Sequence, residues 1–147
     1  MHWHCTPWHE LTVDALYDAL ALRSAIFVVE QTCPYLDPDG LDPHALHVHG
    51  YDANGALKAY ARILPPRIRY PEASIGRVCV ASSERRTGLG RELMRRTLGY
   101  VREQYGEVPL RISAQEYLLR FYESFGFRTV SETYLEDDIP HVEMLRG

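Results

Sequence analysis

Ser74-Ile75-Gly76-Arg77-Val78-Cys79-Val80, followed by Glu84-Arg85-Arg86-Thr87-Gly88-Leu89-Gly90-Arg91-Glu92-Leu93-Met94, is the stretch on which the fold turns. It reads as a buried strand, a short polar turn, and glycines that open an amphipathic helix. Arg85 to Gly90 spells R-x-x-G-x-G. Glycine lets the backbone bend tightly and approach a ligand with no Cβ in the way. A helix N-terminus adds unpaired N–H groups and the positive end of a dipole, a combination suited to phosphate or pyrophosphate. An anionic ligand is expected at this loop. An ordinary strand-to-helix turn is the other reading of so short a string, and the surrounding chain decides between them.

Downstream, the helix from Gly88 to about Gln104 carries a stripe at Leu89, Leu93, Thr97 and Val101, with Arg91, Glu92, Arg95 and Arg96 on its other side. Pro109 to Ala114 is the next strand. Gln115 to Phe125 reads as a helix, with Leu118, Phe121, Tyr122 and Phe125 at helical spacing and Gly126 as its stop. Residues 127–135 and 139–146 form a closing hairpin around Glu136-Asp137-Asp138. Upstream, residues 2–8 are a first strand, and Thr12 caps a helix that runs to about Glu30. Gln31 to Pro43, rich in Pro, Asp and Gly, is a loop long enough to suggest function. Leu46, Val48 and Gly50 alternate with His47, His49 and Tyr51, the pattern of a half-buried strand. Asn54-Gly55 turns this strand into its partner, Leu57 to Leu64. The order β-α-β-β-β-α-β-α-β-β predicts an α/β sandwich on a mixed sheet.

The 147 residues suit a single domain, 1–147, with 46% hydrophobic and 24% charged residues typical of a globular chain. A formal charge of −4 argues against a nucleic-acid partner, which needs a basic face. No apolar run reaches the length of a membrane span, and Met1-His2-Trp3-His4-Cys5 lacks the basic-then-apolar order of a signal segment. Cys5, Cys33 and Cys79 are odd in number and scattered, as reduced thiols of a cytoplasmic protein are. His2-x-His4 and His47-x-His49 each put two imidazoles on one strand face. No cysteine or carboxylate nearby completes a ligand set, so these read as surface histidines and no metal site is expected.

The R-x-x-G-x-G loop between a strand and a helix resembles the coenzyme A pyrophosphate loop of the GNAT acetyltransferase superfamily. The later Phe121-Tyr122-Glu123-Ser124-Phe125-Gly126-Phe127 resembles that family's second hallmark, a tyrosine-bearing helix ending in Gly-Phe. Leu22-Arg23-x-x-Ile26-Phe27, Glu30-Gln31-x-Cys33-Pro34-Tyr35-x-Asp37-x-Asp39-Gly40-x-Asp42, Ala59 to Leu64 and Asp138-Ile139-Pro140-His141 are similar to the ElaA-like branch. The resemblance implies a GNAT-type three-layer α/β sandwich with a central mixed, mostly antiparallel sheet. It also implies acetyl-CoA as cosubstrate and an N-acetyltransferase acting on a small-molecule or peptide amine. A homodimer is one candidate assembly.

By the same resemblance, Val78, Cys79 and Val80 present backbone groups to the pantetheine. Arg85, Arg86, Thr87, Gly88, Leu89, Gly90 and Arg91 hold the pyrophosphate, and Tyr122 protonates the departing thiolate. At the helix start, where the family often has asparagine, this chain has Gln115, whose amide has a longer reach. An amine with a pKa near 10 is neutral in only about one molecule in a thousand at pH 7, so a base helps. The strand offers Arg77 and no carboxylate, which leaves Glu30 and His141 as candidate bases. Arg23 and Arg62 are either partners for acids or guides for a substrate carboxylate. Asp37, Asp39 and Asp42, with Glu136, Asp137 and Asp138, are expected to attract a cationic amine if they share a mouth. The alternative is a non-catalytic acyl-CoA sensor, and a third reading is a phosphate-ligand domain unrelated to coenzyme A.

Overall fold

A computed structural model describes all 147 residues. Strand β1 (His2–Pro7) precedes helix α1 (Val13–Arg23), whose first turn Thr12 caps by accepting from the Ala15 N–H at 3.0 Å. The helix then widens into a π-helical segment, Ser24–Glu30, instead of running on uniformly. That change in winding aims Ile26, Phe27 and Gln31 at one cleft. Strands β2 (Leu46–Tyr51), β3 (Leu57–Leu64) and β4 (Ala73–Val80) follow, then α2 (Leu89–Tyr105) and β5 (Leu110–Gln115). Helix α3 is only Leu119–Glu123, behind a 3-10 turn at Glu116–Leu118; Gln115 ends β5 and does not begin a helix. The chain closes with β6 (Arg128–Thr129), β7 (Tyr134–Glu136) and β8 (Ile139–Arg146). Asp137 and Asp138 take φ of 51° and 62° in the two-residue turn between β7 and β8, the left-handed pair such a hairpin requires.

The eight strands form one sheet in the order β1-β2-β3-β4-β5-β8-β6, with β7 also on β8. Every pairing is antiparallel except β4 with β5. The α/β sandwich on a mixed, mostly antiparallel sheet is thus observed. Alternate residues of β3 separate two cores. Ala59, Ala61 and Ile63 join Leu89, Leu93, Met94 and Val101 of α2 in a dry cluster that also holds Tyr122 and Phe127. Tyr60 packs on the opposite face with Ala19, Ile26 and Cys79, beneath α1.

The α1 face is polar inside, which corrects two sequence expectations. Strand β2 is buried on both faces: His47 and His49 are 0% and 1% exposed, so neither is a surface histidine. His47 Nε2–H donates to the Asp42 carbonyl at 2.9 Å, and its Nδ1 therefore accepts from the Tyr60 hydroxyl at 2.7 Å. His49 Nε2–H donates to the Ala15 carbonyl at 3.0 Å. Burial lowers both imidazole pKa values below the ordinary 6.5. Such neutral histidines favour the fold above about pH 6.5, and that contribution fades as protons load the unfolded chain below it. The urea midpoint is accordingly expected to fall between pH 7 and pH 5, and to fall less in His47→Gln. Equal slopes in the two proteins would show that the drop arises elsewhere.

In the loop from Gln31 to Pro43 the acids are paired with arginines of the surrounding fold. Asp37, Asp39 and Asp42 alternate with Arg23, Arg62 and Arg77 in a continuous ionic chain. Three guanidinium groups from α1, β3 and β4 thus tie down a segment that has almost no regular structure. The three aspartates are matched in charge by the three arginines.

Candidate acyl-transfer cleft

Strands β4 and β5 pair only through Ala73↔Leu110 and Ser74↔Arg111, and then separate. The cause is local. A bulge in the β3–β4 pairing falls between Tyr60↔Cys79 and Arg62↔Gly76, and Arg77 sits there with φ 50°. The gap becomes a cleft of about 360 Å³, walled by Ile75 to Val80 on one side and by Ile112, Ser113 and Gln115 on the other. No helix of the chain is long and apolar enough to cross a membrane.

One end of the cleft meets the R-x-x-G-x-G loop. Gly88 has φ 86°, and a Cβ there would touch nothing within 4 Å, so the glycine serves the turn rather than packing. The N–H groups of Arg86, Thr87, Gly88, Gly90 and Arg91 make no hydrogen bond inside the chain. Leu89 is the exception in this run, donating weakly to Thr87 Oγ1 at 3.4 Å. Five free amides at the head of a 17-residue helix form a cradle for an anion. The Arg85 guanidinium pairs with Glu30, while the Arg86 side chain is exposed.

Tyr122 sits midway. Its side chain is 7% exposed, held edge-on by Phe121 and Phe127 with ring centroids 5.2 and 6.0 Å away. Its hydroxyl lines the cleft without a protein partner. Burial, followed by the neighbouring Tyr117 and Cys79, raises the phenol pKa above the ordinary 10.0 and keeps it protonated. Cys79 lines the same wall, and burial pushes its thiol up to about 12. Burial, with Asp137 and Asp138, also raises Cys33.

At the far end, His141 on β8 lies beside Gln115 on β5. Its Nδ1–H donates to the Ile139 carbonyl at 2.6 Å, so Nε2 is left 3.4 Å from Glu136 Oε2. The structure therefore brings Val78, Cys79, Val80, Arg85, Gly90, Gln115, Tyr122 and His141 onto one cleft. Glu30 stands apart, paired at the loop and absent from the cleft wall.

Sequence reasoning missed several lining groups. Gln31 exchanges amide hydrogen bonds with Gln115 at 3.1 and 3.3 Å, and Cys33 donates to the Asp137 carbonyl at 3.1 Å. Ser113 bonds the Tyr134 hydroxyl. Arg69, in the stretch between β3 and β4, also reaches the mouth. No periodicity marks these residues, because each acts from a loop or across strands far apart in sequence.

Residues 40–146 match the family model described as an acetyltransferase (GNAT) domain. Protein ElaA of Escherichia coli is 43% identical over 148 residues, covering 99% of this chain and 96% of its own. Its crystal structure superposes with a TM-score of 0.92 over 99% of both chains. An acyl-CoA N-acyltransferase from Pseudomonas aeruginosa superposes at 0.94 over the whole of both chains, with 41% identity. An aminoglycoside 6'-N-acetyltransferase crystallised with coenzyme A covers 99% of this chain and 96% of its own at 0.73, but at 15% identity it attests the fold alone. With its family model, its full-length relatives and its splayed sheet in agreement, the chain belongs to the GNAT acetyltransferase family, among the ElaA and UPF0039 proteins.

Proposed function

We propose that this chain is an acetyl-CoA-dependent N-acetyltransferase that passes the acetyl group to an amine by direct attack in a ternary complex. One observation carries the reading: the gap between β4 and β5 runs from five unpaired amides to the Tyr122 hydroxyl and the His141 imidazole. Acetyl-CoA supplies an activated thioester. The amides of Arg86 to Arg91, with Arg85 beside them, take the pyrophosphate, and the backbone of Val78, Cys79 and Val80 takes the pantetheine arm. Gln115 holds that arm from the β5 side once its bond to Gln31 is exchanged. A free N–H on the β4 edge polarises the thioester carbonyl.

Direct attack is favoured over an acyl-enzyme because Cys79 and Cys33, the cleft's two cysteines, are both held as protonated thiols. Proton flow then needs a base and an acid. His141 Nε2 takes the amine proton, with the Glu136 carboxylate beside that same nitrogen to stabilise the imidazolium, and Tyr122 supplies the proton that the leaving thiolate requires. Glu30, paired with Arg85, acts at the cofactor loop.

The test is amine-dependent release of free thiol from acetyl-CoA over a broad amine library, alongside thermal melting with coenzyme A. Expected are turnover and a rise in melting temperature. Coenzyme A saturating at a hundred times its dissociation constant adds about 2.7 kcal/mol. Melting that rises with coenzyme A but no thiol release from any amine would make the chain a sensor. Stabilisation by nucleotides and not by coenzyme A would overturn the cofactor assignment.

A further inference from the structure

We infer that the acceptor carries a carboxylate beside its amine, as a free amino acid or peptide terminus does, and that Arg69 is the counter-ion that selects it. This rests on the acyl-transfer reading and concerns the mouth of the cleft, where the acceptor enters.

The charges of the cleft sort into those already matched and those left open. Arg77 is satisfied by Asp37 and Asp39, with contacts of 3.0 and 3.4 Å and a further bond to the Asp37 carbonyl. Arg85 is paired with Glu30 at the cofactor end. Arg69 differs from both. Of its five guanidinium donors, a single Nη2 bond is made, to Glu136 Oε1 at 3.1 Å. The rest of the group lies over the Tyr70 ring at 5.1 Å, with its side chain 27% exposed. A planar cation held over an aromatic ring at the edge of the cleft, with spare donors, is ready for a bidentate carboxylate.

The groups beside Arg69 provide for the amine. Glu136 divides its oxygens between Arg69 and His141 Nε2, and Asp137 lines the same mouth. An arriving zwitterion exchanges one internal ion pair for two. Its carboxylate replaces Glu136 on Arg69, and its ammonium meets the released Glu136 next to the imidazole that must deprotonate it. A polyamine would instead set a second cation against Arg69. With Asp37, Asp39 and Asp42 paired to arginines, Glu136 and Asp137 are the acids left on the cleft wall to offset that repulsion.

The experiment uses the full chain saturated with acetyl-CoA and measures thiol release with matched amines. Each pair is an amino acid or short peptide against its carboxamide, with the carboxylate set at several distances from the amine, and a polyamine series runs beside them. For at least one spacing, kcat/KM for the carboxylate member is expected to exceed that of its amide about tenfold or more, mainly through KM. Arg69→Gln collapses that ratio to near one, and Arg69→Lys restores part of it. Ratios near one at every spacing, polyamines preferred over all pairs, or a ratio that survives Arg69→Gln would each overturn the inference while leaving acyl transfer standing. Thiol release from no amine at all would overturn acyl transfer itself, and the inference with it.

Discussion

Tyr122→Phe is expected to cut amine acetylation at saturating substrates about a hundredfold or more, with acetyl-CoA binding unchanged within about twofold. The asymmetry follows from where the hydroxyl lies. The ring packs between Phe121 and Phe127 and keeps its contacts as phenylalanine. The oxygen bonds to nothing in the chain, so its removal orphans no partner and costs the fold little. Its role begins only when negative charge appears on the departing sulfur. Burial raises the phenol pKa, which on its own makes a weaker acid. The same dry environment raises the basicity of a thiolate forming beside it, and the pair stays matched. Steady-state thiol release together with a cofactor dissociation constant decides the matter. Unchanged turnover would reduce Tyr122 to a core aromatic, and equal losses in binding and turnover would point to misplacement of the arm.

Legibility from sequence tracked whether a feature was local. The strand from Ala73, the glycine loop and α2 could be read because strand, turn and apolar stripe are all written within a few residues of one another. Asn54-Gly55 and the Asp137-Asp138 turn were equally local. Gln115 was misplaced because its neighbours have helical spacing, although tertiary pairing with His141 extends β5 through it. His47 and His49 misled because alternation is a rule for half-buried strands, and α1 covers the second face of β2 with polar groups. The pairing of the aspartates of the 31–43 loop left no mark in the sequence because their partners lie 14 to 40 positions away. The cleft was the least visible feature. It arises from a bulge at Arg77 and from a pairing that stops after two residues, neither of which leaves a mark on composition or period.

The buried ionic chain yields the other large effect: Asp42→Asn is expected to cost about 3–5 kcal/mol of folding stability. Asp42 Oδ1 accepts from Arg23 and from Arg62, each at 2.9 Å, and both guanidinium groups are 0% exposed. Asparagine keeps the shape and removes the charge, leaving two buried cations to share fewer anions. Burial pushes the Asp42 carboxyl pKa up, but the hydrogen bonds and charges of Arg23 and Arg62 outweigh it and hold the group below its ordinary 3.8. A depressed carboxyl stabilises the fold above that value and loses its effect as pH falls below it, so the mutant should differ from the parent less in strong acid. Urea denaturation reads the change as a shift in midpoint at constant slope, with Asp138→Asn on the exposed turn as a control expected within about 0.5 kcal/mol. The loop that Asp42 anchors carries Cys33 and Tyr35, both on the cleft wall. The same substitution should therefore raise the acceptor KM even at temperatures where the mutant remains folded. A mutant as stable as the parent would mean that the network only sets the path of the loop, and that water readily replaces what Asp42 provides.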